Sequence, residues 1–237
     1  MAGAKVVQAQ TSAVDARGGL PAETIRLSDV AYRKVLEGLF DRTVPAGAFV
    51  SQNELVNLLD IPVQPLRDAL RVLEAEGVLT IHPRSGIQFL KPDLELARST
   101  YQFRAIIERP AARAFAETGN VAEVTALIKE HRAIMARIEG GNFDARVQAK
   151  LGELEERLHG GMIASLRNPL VETTARRLKN YVTLIRLDRL MTPPLALRTL
   201  REHLEILEAA AARDADAAEA AIVTHFQNAL QRILGMF

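Results

Sequence analysis

Between Ser51 and Leu90 the apolar positions change period twice. Leu55, Leu58 and Leu59 fall on one helical stripe, and Ser51 with Glu54 has the spacing of a capping box, hydroxyl and carboxylate each taking one orphan amide. Asp60-Ile61-Pro62 limits that helix to about two turns. A second helix follows, with Leu66, Ala69, Leu70 and Leu73 on its apolar face and Gln64, Arg67, Asp68 and Arg71 on the other. Gly77 ends it, and Val78–Ile81 and Ile87–Leu90 read as short strands around Pro83-Arg84-Ser85-Gly86. Upstream, Val30, Ala31, Val35, Leu36, Leu39 and Phe40 keep helical spacing behind Ser28 as a cap, and Val44-Pro45-Ala46-Gly47 forms a loop. Helix, turn, helix and wing make the shape of a DNA reader, although such a unit also serves as a protein-interaction module.

From Leu94 the alternation disappears and Ala, Leu, Glu and Arg dominate. Gly- and Pro-containing breaks divide the remainder into about six helices, over 94–118, 121–139, 143–166, 169–191, 194–212 and 214–235. Pro110 lies inside the first and is expected to kink it. The expected fold is mainly α: an N-terminal winged helix-turn-helix over 28–92, then an all-α helical bundle over 93–237. Residues 1–27 lack a sustained period and read as a tail.

Composition narrows the chemistry. With no cysteine there is neither a disulfide framework nor a thiolate metal site, which suits a reducing cytoplasm. No apolar run reaches the length of a membrane span, and the first residues do not form a signal peptide. Formal net charge is only +1, and between Ser28 and Pro92 seven Lys/Arg face eight Asp/Glu. The basic footprint of a nucleic-acid reader is therefore local: Arg67, Arg71 and Arg84 on one face, with Asp68, Glu74 and Glu76 expected elsewhere.

The bundle carries a candidate metal site. Glu155 and His159 are four apart on one predicted helix, so both emerge on the same face. His203 precedes the turn at Arg213 by ten residues and His225 follows it by twelve, so antiparallel packing returns both imidazoles to similar heights. Three imidazoles and a carboxylate suit a borderline divalent ion such as Zn, Ni, Mn or Fe(II). The alternative is a set of satisfied core histidines beside a surface Glu. His131 follows Glu130 on what reads as a polar face and His82 lies in the wing, so neither joins the set.

The chain resembles the GntR family of bacterial transcription regulators, in the FadR-like group with an FCD effector domain, over about residues 28–235. The likeness rests on Val44–Gly47, Ser51–Leu55, Pro65–Leu70 and Leu73–Leu79, then on Arg104 with Ile107-Glu108, Glu155 to His159 before Asn168-Pro169, Glu202-His203, and His225. It implies DNA contacts from Ser51, Gln64, Arg67, Arg71, Arg84 and Gly86, and a divalent metal held by Glu155, His159, His203 and His225. It further implies a small carboxylate effector met by Arg104, whose alternative is an ion pair with Glu108. Glu155 departs from the family's Asp, and Asn53 and Pro62-Val63 stand where family members commonly place DNA-contacting Arg and Ser/Thr-Arg.

The reading that follows is a homodimeric, ligand-responsive repressor on double-stranded operator DNA, in the cytoplasm and free of the membrane. Its competitors are a metal-dependent enzyme using the His/Glu site and an interaction module with weakened DNA binding.

Overall fold

The computed structural model describes residues 26–235. The residues expected to form a tail therefore lie almost wholly outside the described part. The chain order is α1 (Leu27–Phe40), β1 (Phe49–Val50), α2 (Gln52–Leu59), α3 (Val63–Ala75), β2 (Leu79–His82), β3 (Gly86–Phe89), then α4 (Leu94–Thr118), α5 (Val121–Glu139), α6 (Ala145–Ser165), α7 (Pro169–Arg186), α8 (Pro193–Ala211) and α9 (Ala215–Leu234). The fold is mainly α: a winged helix-turn-helix followed by six helices.

The N-terminal elements enclose their own apolar cluster. Leu66, Ala69, Leu70 and Leu73 of α3 are all buried, meeting Val35 and Leu39 of α1, Leu55 of α2 and Ile87 and Phe89 of β3. The capping box is present: Glu54 N–H donates to Ser51 Oγ at 3.2 Å, and Ser51 N–H donates to Glu54 Oε2 at 2.6 Å. Replacing Ser51 by alanine is expected to cost about 1 kcal/mol, read as a lowered thermal midpoint of the full chain.

Three local expectations are corrected. Ser28 is not a cap; Arg26 holds the cap position and the helix starts two residues earlier, because the Arg26 carbonyl already accepts from Asp29 and Val30. Leu58 is 50% exposed, because a helix this short meets its neighbours mainly through Leu55. The wing has a third strand: β1 pairs antiparallel with β3, in the order β1-β3-β2. Two residues of strand are too few to show an alternation in sequence.

In the bundle α4 is the central helix, packed against α6, α7, α8 and α9, while α5 closes on α6 and α8. It runs unbroken through Pro110. Four of the helices that follow α4 have entries fixed by side-chain caps: Asn120, Asp144, Asn168 and Asp214 each accept a backbone N–H from the first turn of α5, α6, α7 and α9. No helix among the described residues is long and apolar enough to cross a membrane.

One bundle helix also belongs to the other unit. Leu184 of α7 is 2% exposed and sits in the N-terminal apolar cluster. The Tyr181 hydroxyl donates to the Glu76 carbonyl at the end of α3. It passes so close to Gly77 (φ 75°) that a Cβ there would lie 2.5 Å from the Tyr181 oxygen. Tyr32 of α1 donates to Glu76 Oε2 at 2.7 Å and accepts from Asn180 Nδ2 at 3.2 Å, while Arg177 stands 3.5 Å from Glu76 Oε1.

Burial and the Glu76 carboxylate push the Tyr32 phenol up to about 12. Between pH 10 and 12 the unfolded chain has therefore lost a proton that the folded chain keeps. The contribution of this contact is complete below pH 10 and declines as pH rises to 12. Alkaline denaturation should show that loss in the wild type and a smaller one in Tyr32→Phe.

Candidate metal and effector centre

Three histidines from three helices converge inside the bundle. His159 (α6), His203 (α8) and His225 (α9) are 8%, 2% and 1% exposed, and they offer ligand nitrogens lying within 4.8 Å of one another. Each ring is fixed on its Nδ1 side. His159 Nδ1 donates to Glu108 Oε2 at 2.5 Å, and His225 Nδ1 donates to Glu202 Oε2 at 2.8 Å. His203 Nδ1 lies 3.3 Å from His131 Nε2, and His131 Nδ1 lies 2.8 Å from the Leu127 carbonyl. A carbonyl only accepts, so His131 carries its proton on Nδ1 and its Nε2 accepts from His203. In the neutral ring each of the three partners fixes the tautomer whose lone pair is on Nε2. None of these Nε2 atoms has a hydrogen-bond partner.

Burial pushes the His225 imidazole down to about 4 and His203 well below its ordinary value, so both are neutral at pH 7. Neutral imidazole is the form that binds a metal. Burial works against the Glu202 and Glu108 carboxylates, yet each is held at about 2. Around Glu202 the His225 contact and the Arg232 fork, at 2.6 and 2.9 Å, prevail; around Glu108 Arg104 and His159 do. The group fits a divalent ion: three unpartnered, buried nitrogens, each on a ring backed by an outer hydrogen bond.

The expected fourth ligand is placed differently. Glu155 is on the His159 side of α6, but its Oε1 accepts from Arg186 Nη1 of α7 at 2.6 Å, and it does not join the cluster of donor atoms. The longer glutamate arm reaches the guanidinium that Tyr101 helps to hold. His131 also departs from expectation. It is 0% exposed, because Leu127, Ile134 and Ile138 continue its stripe into the core. Sequence reasoning missed Glu108 and Glu202 as supports, and the Glu202-His203 dipeptide is the one local sign of the second.

A cavity of about 840 Å³ adjoins the cluster, between α6 and α7 and floored by Arg104 and Glu108 of α4. Arg104 is buried, its Nε donating to Glu108 at 2.7 Å and its guanidinium lying 4.7 Å from the Phe226 ring centroid. Its Nη1 has no partner. Arg104 forms the ion pair with Glu108 and also lines the cavity. The cavity face of α7 carries Leu178, Val182 and Arg186, while Tyr181 and Leu184 reach the N-terminal unit. At about 100° per residue these sets occupy different sides of one helix.

On the N-terminal unit, Gln64, Arg67, Arg71 and Arg84 are exposed, Ser51 caps α2, and Gly86 sits at the wing with φ 154°. Arg67 Nε donates to Gln52 Oε1 at 3.2 Å. Asp68 does not lie elsewhere, as its sequence neighbours suggested. It accepts from Gln64 at 3.3 Å and stands 4.0 Å from Arg71, because positions three and four apart share a helix face.

A winged helix-turn-helix joined to an all-helical bundle is the architecture of a DNA-binding transcription regulator. The chain belongs to the gntR family of bacterial regulatory proteins, which it matches over residues 27–89, and to the branch whose second part is an FCD domain, matched over residues 99–228. It is 21% identical over 197 residues to the uncharacterized HTH-type transcriptional regulator YdhC of Bacillus subtilis, covering 83% of this chain and 86% of that one. It is 26% identical over 198 residues to the HTH-type transcriptional repressor RspR of Escherichia coli, covering 83% and 84%. Among solved structures, E. coli McbR/YncC superposes with a TM-score of 0.72 at 13% identity, over 90% of this chain and 99% of that chain. A putative GntR regulator from Rhodococcus sp. RHA1 gives 0.69 at 18% identity, over 89% and 98%. The domains and relatives are those of transcription regulators, and the enzyme reading is set aside.

Proposed function

We propose that this regulator is a homodimeric repressor whose DNA affinity is set by a divalent ion and a carboxylate bound in the FCD domain. In this reading residues 28–92 read the operator and residues 93–237 hold metal and effector. The observation that carries it is the set of unpartnered, converging Nε2 atoms of His159, His203 and His225, with Arg104 Nη1 unpartnered beside them. A bound ion supplies a Lewis-acidic anchor for a carboxylate oxygen. Arg104 contributes a charged donor for the second oxygen, and Glu155 remains a candidate ligand if its pairing with Arg186 is given up. Glu108, Glu202 and His131 hold the imidazoles in the ligating tautomer.

The DNA-facing set is Ser51, Gln64, Arg67, Arg71, Arg84 and Gly86, with the start of α3 entering the major groove. The relative named as a repressor supports that mode of action. Dimerisation is supported by Phe103 and Ile106, 42% and 68% exposed and one turn apart on α4. Ile106→Asp should shift the protein from dimer to monomer in sedimentation equilibrium. Coupling runs through α7, since a ligand that displaces its cavity side must also displace Tyr181 and Leu184 from the winged helix.

Calorimetric titration of metal-free protein with Zn, Ni and Mn tests the site. One saturable ion per protomer that raises the thermal midpoint is the expected result, and absence of binding by every ion tried removes the reading.

A further inference from the structure

The cavity beside the histidines specifies its ligand more narrowly than a carboxylate. Its deep end is polar: Arg104 and Glu108 are 6% and 4% exposed, and Arg104 Nη1 and His159 Nε2 lack partners there. Its middle is apolar. Ile163 of α6 and Leu178 and Val182 of α7 face it, with Ala164 and Ala175 adding short side chains that leave the space open. Its mouth is charged and wet, with Glu156 and Lys179 paired at 2.5 Å and both more than half exposed.

The charges of the wall cancel. Arg104 is matched by Glu108, Arg186 by Glu155 and Lys179 by Glu156, which leaves Arg176 and Glu172, of opposite sign, at the rim. A compact di- or tricarboxylate would find cations only at the deep end, from the ion and Arg104, and none unpaired in the middle of the cavity. It would also leave most of about 840 Å³ to solvent, in a space as large as those that hold drug-sized ligands.

We infer that the effector is an amphipathic monocarboxylate, its acid at Arg104 and the three-histidine centre and its apolar body lying between α6 and α7. The inference rests on the carboxylate-responsive reading and adds the chemistry of the ligand's other end. The apolar body is also the part that touches α7. Such a ligand therefore presses on the helix that carries Tyr181 and Leu184, which a small acid confined to the deep end does not reach.

The test is isothermal titration of the Zn-loaded full chain with acetate, butanoate, hexanoate, octanoate and citrate. Each methylene that reaches the wall should tighten binding about two- to fourfold, so octanoate binds far better than acetate, and citrate gains nothing over acetate. Val182→Thr keeps the wall's shape but places a hydroxyl in it, and Ala175→Phe fills it from a partly exposed position. Either variant should flatten the dependence on chain length. Tight citrate binding with no gain along the series overturns the inference and leaves the carboxylate reading standing. Failure of all five acids to bind overturns both.

Discussion

Replacing His225 by alanine should abolish high-affinity metal binding. The wild-type chain should bind one Zn per protomer in a calorimetric titration, and His225→Ala should bind more than a hundredfold more weakly. Loss of an outer hydrogen-bond partner alone typically costs 10–100-fold in metal affinity, and removing a ligand nitrogen costs more. Glu202→Gln is the graded companion. It keeps an acceptor oxygen for His225 Nδ1 but loses the charge that Arg232 pairs with, and an intermediate fall of 10–100-fold is expected. Equal Zn affinity in wild type and His225→Ala would show that the three histidines are only packed core residues.

The second large effect is on stability and coupling. Leu184→Ala removes a side chain that is 2% exposed, reaching from the bundle into the apolar cluster of the winged helix. Truncations of buried leucine cost about 2–5 kcal/mol, the larger values where the surroundings cannot collapse into the gap. Here the gap opens between two units rather than inside one. The expected result is a split of one calorimetric transition into two, with the winged helix melting first. Tyr181→Phe should act in the same direction with a smaller effect, because it removes a single hydrogen bond to the Glu76 carbonyl. An unchanged single transition in Leu184→Ala would mean that α7 does not tie the units together.

What could be seen in the sequence was whatever repeats along one chain segment. The α3 face, the Ser51–Glu54 box and five of the six bundle helices to within two residues at either end follow from spacing and caps. The exception is α7, which stops at Arg186, five residues short of its expected end at 191. His159, His203 and His225 were also accessible, because two antiparallel helices return equal spacings to equal heights. What stayed hidden depends on partners far along the chain. Glu202 is buried because Arg232 and Asn228 come to it from α9, and Glu155 turns away from the histidines because Arg186 reaches it from α7. His131 was hidden by its charged neighbours, although Leu127, Ile134 and Ile138 put it on the core stripe. The double allegiance of α7 leaves no local mark, since a leucine in the core of its own bundle and a leucine in a neighbour's core look alike.

Occupancy of the bundle should control DNA affinity, and one titration tests this directly. The full chain is titrated against its own promoter DNA, with competitor DNA present, first metal-free and then with Zn and octanoate, alongside Arg67→Ala. The prediction is saturable, salt-dependent binding in the nanomolar range that Arg67→Ala weakens and that Zn with octanoate shifts by about tenfold, a typical coupling between two sites. Equal affinity in both ligand states, or no preference for the promoter over competitor, would contradict the account.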